Sequence, residues 1–494
     1  MAAVFGTAFH AAWERPWLGA TASFAAAAVL TAAAFCLAKN RRLSLAAAAA
    51  AVVMAAFGRY DSALMGVPVP EGLPDRAAEF VGTVVEEPRL KSAETSLTVG
   101  EITALPEGRR LPGKAMLHLP TWSDFSYGEG VAWRCKPRAT DAASAGSGKT
   151  LLIDRVAWQC WPDGQPRVES SSRGSRVMSA VYRFKGRVRR TVGDILPEPE
   201  SSFLMGLILG DRDGIPDGMK QEFRDTGTSH ILAVSGYNTA KVADAVFLAL
   251  AVAAVRRRRA AVVVVMSLAV FTAVAGGEAS VVRAVIMGSA GALSLIFGRR
   301  GNGAGALVLA AALMLFANPL VLKHDLGFQL SFAALLGLRW LAPPIERNLK
   351  FLPEFLGVRR NLAETLSATA ATAPICLAAF GSLPLVSPLA NLLILPAIPW
   401  AMGIGALAAL VGSIFEPAGA AAAWPAWLIL RYVESVIVVL ADVMPWRVAL
   451  DAGFAGEAAL FALIGAVRFG PGLLTRLRRR LRAASKIIAA EYDF

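Results

Sequence analysis

Charge is scarce in this chain, and so are the side chains that build most hydrolytic and redox sites. Only 18% of its 494 residues are Asp, Glu, Lys or Arg, while 55% are apolar. An ordinary soluble domain has about 25% charged and about 45–50% apolar residues. Four histidines occur, His10, His118, His230 and His324, and none stands in an H-x-H-x-D-H cluster. A binuclear metal site cannot be assembled from them, and no paired Cys/His spacing suggests zinc. Four cysteines occur as well. Cys36 and Cys376 lie in apolar stretches and read as packing residues. Cys135 and Cys160 share the one large polar segment. An oxidising compartment favours a bridge between them over two free thiols. A nucleotide site is missing too. ASAGSGKT, Ala143–Thr150, looks like a phosphate-binding loop, but Ala143 stands where the pattern needs its first glycine. The strand-like run Leu151–Trp158 follows in place of a helix, so the anion nest lacks its helix N-terminus. The stretch reads as a flexible loop between strands, and no ATP-driven chemistry is expected of the chain.

What the chain has in excess is apolar residues gathered into blocks of 15–25, the length an α-helix needs to cross about 30 Å of hydrocarbon. Length alone suggests about three soluble domains, but that prior fails once most of the chain belongs in lipid. The net charge of +13 has two readings. The positive-inside rule loads the cytoplasmic loops of any membrane protein with Lys and Arg, and it accounts for most of the excess. Nucleic-acid binding is the sharper reading, and charge alone supports it weakly.

Along the chain, residues 1–60 hold two alanine-rich segments around the basic turn Lys39–Arg42. They are expected as a transmembrane hairpin with its turn in the cytoplasm and the N-terminus outside. The first apolar stretch, Pro16–Ala38, is followed by basic residues rather than a cleavage context, so no cleavable signal is expected. Residues 70–168 alternate apolar and polar positions in short runs broken by Gly, Pro, Asp and Ser, the pattern of small antiparallel strands. Five strands are expected, at Phe80–Leu90, Ser96–Leu105, Lys114–Leu119, Gly130–Pro137 and Lys149–Cys160. They suit a small barrel of OB type in the periplasm. Trp122, Phe125, Tyr127, Trp133, Trp158 and Trp161 cluster there. They are read either as core and membrane-edge residues or as a stacking surface for single-stranded bases. Residues 173–195 mix arginines with apolar residues, as in an amphipathic interfacial helix or a basic surface beside a nucleic-acid path.

Residues 201–470 are mostly membrane, with spans near 230–255, 260–275, 281–298, 304–317, 326–341, 362–380, 384–411, 424–443 and 455–468. The 384–411 stretch is cut by Pro384, Pro388, Pro396 and Pro399 and reads equally as a broken or re-entrant pair. Arg256–Arg259, Arg299, Arg300, Arg347, Lys350, Arg359, Arg360 and the basic tail over 471–494 are expected on the cytoplasmic side. The fold class expected is therefore a polytopic α-helical inner-membrane protein of about eleven transmembrane helices, with an extracytoplasmic OB-like β-barrel and a cytoplasmic C-terminus.

One segment is too polar to sit against lipid: GLILGDRDGIPDGMKQEFRDTGTSHILAVSGYNTAKV, Gly206–Val242. Its GDR turn, the TG before His230, and the run Leu232, Ala233, Ser235, Gly236 form an ordered signature. GGEASVVRA, Gly276–Ala284, adds an S-x-x-R-A helix entry, and NPL with DLGFQLSFAALLGL adds a third block over Asn318–Leu338. Together these motifs resemble the ComEC/Rec2 competence family. The resemblance implies a channel that passes single-stranded DNA into the cytoplasm during natural transformation. It also implies an external DNA receptor, a cytoplasmic helicase-like motor and a nuclease as partners, and no cofactor. Many family members carry a metallo-β-lactamase-like domain that this sequence is not expected to supply. The family's usual His after S-G-L is replaced, since the chain reads Tyr237-Asn238 after Ser235-Gly236.

A translocated strand carries one charge per nucleotide, so its route must be wet and lined by donors or cations. Arg212, Arg224, Lys241 and Arg283 are candidates for phosphate contacts, and His230, Asn238 and Gln329 for neutral donors. Each is otherwise read as helix–helix glue. Asp211 and Arg212 are otherwise read as a structural turn with an ion pair. Two rivals remain. A secondary transporter or channel for a small anionic solute would place interrupted helices at matching positions of paired repeats, and only 384–411 suggests one. An intramembrane hydrolase would use Ser235 with His230, but no Asp is spaced to orient the His.

Overall fold

The structure is a computed structural model that describes residues 54–56, 58–60, 62, 73–91, 94–120, 125–139, 156–170, 174–232, 234–296, 302–354, 357–443 and 447–449. Nearly all of the expected N-terminal hairpin lies outside the described residues. So do Trp122, the ASAGSGKT stretch, the span expected over 455–468 and the tail over 471–494. The chain divides into two compact units. One holds Met1–Lys220, His230–Phe328 and Ile398–Tyr432, and the other Gln221–Ser229, Gln329–Ala397 and Val433–Phe494.

The first unit opens with strands β1 (Ala78–Val84), β2 (Arg89–Lys91), β3 (Glu94–Leu105), β4 (Arg109–Arg110), β5 (Lys114–Leu119), β6 (Gly130–Cys135), β7 (Arg138–Ala139), β8 (Val156–Cys160) and β9 (Arg167–Ser170). They pair in the order β7-β8-β5-β3-β1-β6-β9, with β2 and β4 as further partners of β3. The β5–β8 pair is parallel. β6 and β8 stand four places apart on this path, which is roughly 19 Å in a flat sheet at about 4.8 Å per strand. Their cysteines, Cys135 and Cys160, are joined by a disulfide with Cα atoms only 6.1 Å apart. The sheet is therefore rolled, and the bridge crosses its seam. β7 follows β6 after Lys136 and Pro137, so one bent stretch of chain pairs with β1 at one end and β8 at the other. The alternating apolar positions point inward, where Phe80, Leu97, Leu117, Trp133 and Trp158 fill one core.

Helix α1 (Arg176–Ile195) carries a basic sequence, yet part of that charge is spent within the protein. Tyr182, Lys185 and Arg189 recur at helical spacing and share one face. On that face the Tyr182 ring meets Tyr127 at 5.0 Å, and Lys185 Nζ donates to Glu87 Oε2 at 2.6 Å. The Tyr127 hydroxyl accepts the Ser175 N–H at 3.2 Å. Burial, with Glu87 and Glu86 nearby, pushes the Tyr182 phenol above its ordinary pKa. Arg183, Arg187 and Arg190 stay exposed, as do Val177 and Phe184.

Helices α2 (Glu200–Leu209), α3 (Asp217–Asp225), α4 (Gly236–Val252), α5 (Arg257–Val274), α6 (Ala279–Ile296), α7 (Gly303–Ala317) and α8 (Val321–His324) follow. α4, α5 and α6 pack through Phe247, Leu250, Val264, Leu268 and Ala292. Next come α9 (Leu326–Trp340), α10 (Ala342–Asn348), α11 (Val358–Phe380), β10 (Ser382–Pro384), α12 (Ser387–Ile394), α13 (Ile398–Gly412), α14 (Glu416–Val443) and β11 (Arg447–Ala449). In the second unit α9 comes close to α11 at Gly337, where a Cβ would fall 2.5 Å from the Ser367 carbonyl oxygen. Small residues permit such approaches between helices.

The helices stand where the apolar blocks put them, but their lengths change the span count. Among the described residues one helix, Val358–Phe380, is long and apolar enough to cross a membrane, or up to three if each of two broken pairs is one span. Those pairs are α9 with α10 and α12 with α13, the latter broken within the proline-cut stretch. The reason is geometric. α4, α5 and α7 have 17, 18 and 15 residues, roughly 22–27 Å at 1.5 Å per residue, against about 30 Å of hydrocarbon. α5 also spends its first turn on Arg257, Arg258 and Arg259. Among the described residues, length and composition thus support one to three of the roughly eleven expected spans.

Candidate functional site

Two of the sequence motifs meet in the first unit. Ser235 caps α4: its backbone is extended, and its Oγ accepts the Asn238 N–H at 3.2 Å. This satisfies one of the donors a helix start leaves open. Asn238 is buried, and its side-chain amide donates to the Leu207 carbonyl at 3.4 Å, one of the last carbonyls of α2. It thus ties the start of α4 to the end of α2. On α6, Ser280 and Arg283 lie one turn apart and face the same loop. Ser280 Oγ donates to the Val234 carbonyl at 3.2 Å. The Arg283 guanidinium lies where a Cβ on Gly236 would stand, so the glycine of the S-G pair makes room for the arginine of S-x-x-R-A. Arg283 is itself buried.

The GDR turn forms beside this loop. Gly210 closes α2 in the left-handed conformation at φ +73°, with the Ala275 carbonyl only 3.2 Å from a Cβ placed there. Asp211 then turns inward and Arg212 outward. They do not pair with each other. Asp211, which is buried, accepts both Nε (2.7 Å) and a terminal nitrogen of Arg189. Arg212 pairs with Glu278, the residue before α6. Arg189 also reaches Glu87 at 3.5 Å. The chain Glu87–Arg189–Asp211 therefore links the β-sheet, α1 and the GDR turn by charge-assisted bonds. Burial works against the Arg189 charge, but Asp211 and Glu87 outweigh it and hold the guanidinium above its usual range. Burial pushes the Glu278 carboxyl above its ordinary pKa, with Arg212 opposing and Asp325 adding to the rise.

The remaining predicted residues are scattered. His230 is exposed in a short turn, Ser229–Ile231. Lys241 pairs with Asp244 at 3.3 Å and lies over the Tyr237 ring. Arg224 and Gln329 belong to the second unit. Arg224 is exposed there, and Gln329 is half-buried on α9. The motif residue Asp325 caps α9, its Oδ1 accepting the Phe328 N–H at 3.0 Å. The site thus gathers Asp211, Arg212, Ser235, Asn238 and Arg283.

The aromatic set needs correction. Trp133 and Trp158 are 3% and 0% exposed. They fill the β-core beside Phe80, 5.8 and 5.1 Å from its ring, and offer no face to a base. Phe125 packs against the same core, and Tyr127 is taken by α1. Trp161 alone of the described cluster is an exposed ring, at 50%. Sequence reasoning missed Glu87, Arg189 and Glu278 as partners of the site. Glu278 stood inside the quoted GGEASVVRA run, but its role depends on the GDR turn, 66 residues away.

Among the described residues no group of three or more His, Cys, Asp or Glu could hold a metal ion. The chain's donors are guanidinium, ammonium, amide and hydroxyl groups, suited to binding and positioning anionic or polar groups. A family model described as "Competence protein" matches residues 207–474, more than half of the chain, and takes in both motifs that meet at Gly236. No curated protein and no solved structure matches the chain.

Proposed function

The chain belongs to the competence protein family, and from that premise we propose that it is an inner-membrane conduit passing single-stranded DNA into the cytoplasm during natural transformation. The family is membrane-associated and serves DNA uptake. The observation that carries the finer reading is the junction of Ser235–Asn238 with Ser280–Arg283. It places a buried guanidinium beside a helix start within the matched region. Arg283, with Arg212 and Lys241 nearer the surface, is read as a contact for strand phosphates. Asn238 and Ser235 hold that junction in shape, which makes them positioning residues.

The rolled sheet is read as an OB-like domain outside the membrane. Its strand order, parallel β5–β8 pair and disulfide support that reading, since bridges persist in oxidising compartments. The full ladder of about eleven spans, the cytoplasmic C-terminus, the external receptor, the motor and the nuclease partner belong to the same proposal. A solute transporter is the alternative, favoured by the two broken helix pairs.

Deleting the gene in a host shown to take up DNA, then following labelled double-stranded DNA, separates the two. DNA that enters the periplasm and stops there is the expected result. Unchanged cytoplasmic entry overturns the conduit and moves the transporter forward. Restoring the gene with Arg283→Ala is expected to leave entry blocked.

A further inference from the structure

We propose that Trp161, resting on His118 and flanked by Arg138, is a stacking platform for the bases of single-stranded nucleic acid on the outer face of the β-sheet. The inference rests on the external-domain reading above and gives it a site. Strand alternation sets the orientation. Along β8 and just beyond, Trp158 and Cys160 are buried, so Gln159 and Trp161 fall on the opposite, outer side. The Trp161 ring stacks on His118 with centroids 4.7 Å apart and planes 12° from parallel. His118 is itself fixed at both ring nitrogens, by Glu94 and by Gln159 Oε1 at 3.0 Å. The indole is thereby held flat and pre-oriented, yet half of it remains open.

One cation flanks that open surface, and further basic residues are exposed on the neighbouring chain segments, with Glu79 opposite Arg134. The Arg138 guanidinium lies 5.3 Å from the Trp161 ring centre. Arg134, Lys136 and Arg167 are exposed on β6, the bend after it and β9. The Asp163 N–H donates to the Arg134 carbonyl at 2.8 Å, which ties the turn after Trp161 to the basic strand. An exposed ring flanked by a guanidinium fits a nucleic acid, whose bases stack while its phosphates pair. An exposed cation–ring contact is weaker than a base–ring stack. A base can therefore take the open indole surface while Arg138 turns to the adjacent phosphate. Bilayer insertion fits less well, because the neighbours Arg134, Lys136, Arg138 and Gln159 supply no apolar patch to sink into lipid.

The test uses the full chain in nanodiscs and the anisotropy of labelled oligo-dT and of an abasic strand of equal length. Trp161→Ala is expected to raise the Kd for dT by about tenfold and leave abasic binding unchanged. Trp161→Phe, which keeps a ring, should stay within about threefold of the wild type. Arg138→Ala should lower the salt slope by about 0.7. A wild-type dT affinity in Trp161→Ala, or an equal loss for both strands, overturns the platform. Quenching by brominated lipid that Trp161→Phe abolishes, with unchanged dT affinity, makes the surface a membrane contact instead. A wild-type chain that binds neither strand also overturns the platform. In that case DNA arrested at the membrane in the deletion strain keeps the conduit standing.

Discussion

In the β-sheet, Phe80, Leu97, Leu117 and Trp158 lie inside, while Arg134, Lys136, Arg138 and Trp161 look outward. In the helices, Val252, Phe316, Trp400 and Ile414 look outward, while Asn238, Arg283, Ser367 and Asn391 lie inside. Both interiors are mainly apolar, but the helices differ from the sheet in turning large apolar side chains outward and in burying Asn238, Arg283 and Asn391 among the apolar ones. Water drives apolar side chains together at about 25 cal/mol per Å², and the sheet uses that drive. Lipid gives no such drive between helices, so packing of small residues and buried polar contacts hold them. Gly337 against Ser367, and Asn238 against Leu207, are such contacts. An apolar surface this extensive is not what a soluble monomer presents.

The largest effect should come from the water-built region. Trp158→Ala empties the centre of the β-core and should cost about 3–5 kcal/mol. Protease resistance of the β-region in the intact protein reads this out. Trp158→Phe should cost far less, because the indole N–H is buried without a hydrogen-bond partner and the phenyl ring sheds that burden. If both substitutions cost the same, the core is held by something other than ring packing.

An intermediate effect is expected where the helices bury polar groups. Gly236→Ala puts a methyl group where the Arg283 guanidinium lies. Overpacking of this kind costs about 1–3 kcal/mol. Arg283→Ala should relieve it, so the double variant should lose less than the sum of the two singles. Thermal unfolding in detergent measures all three. Strict additivity would separate the S-G and S-x-x-R-A motifs and end the claim that they form one junction.

The sequence made some of this legible and hid the rest for identifiable reasons. Apolar blocks located α4–α7, α9, α11 and α14, because composition alone marks an apolar helix. The same blocks do not fix the number of spans, because charged first turns such as Arg257–Arg259 shorten what lipid can cover. Strand alternation placed β1, β3, β5, β6 and β8, and the polar segment paired Cys135 with Cys160. Alternation did not separate Trp158 from Trp161. Trp161 follows directly on the strand that holds Trp158, and three residues along an extended chain bring it to the opposite face. Asp211 and Arg212 suggested a mutual pair by adjacency. The Gly210 turn aims them apart, so Arg189 and Glu278 had to come from other elements.

The smallest effect concerns a pair at the edge of the junction. Burial raises the Glu278 carboxyl above its ordinary value of 4.5, against the pull of Arg212. A raised folded pKa means that the folded chain holds this proton more tightly than the unfolded chain does. The stability this contributes is fully present below pH 4.5 and is lost as pH rises through the folded value. Glu278→Gln removes the titration while keeping a neutral acceptor for Arg212. The unfolding temperature of the variant should therefore gain on the wild type as pH rises from about 4 to 7, by the roughly 1 kcal/mol or less typical of partly exposed pairs. The opposite trend, with the wild type gaining, would mean that Arg212 outweighs burial. Glu278–Arg212 would then be an ordinary surface ion pair, and the buried polar contacts of the helices would stop short of the GDR turn.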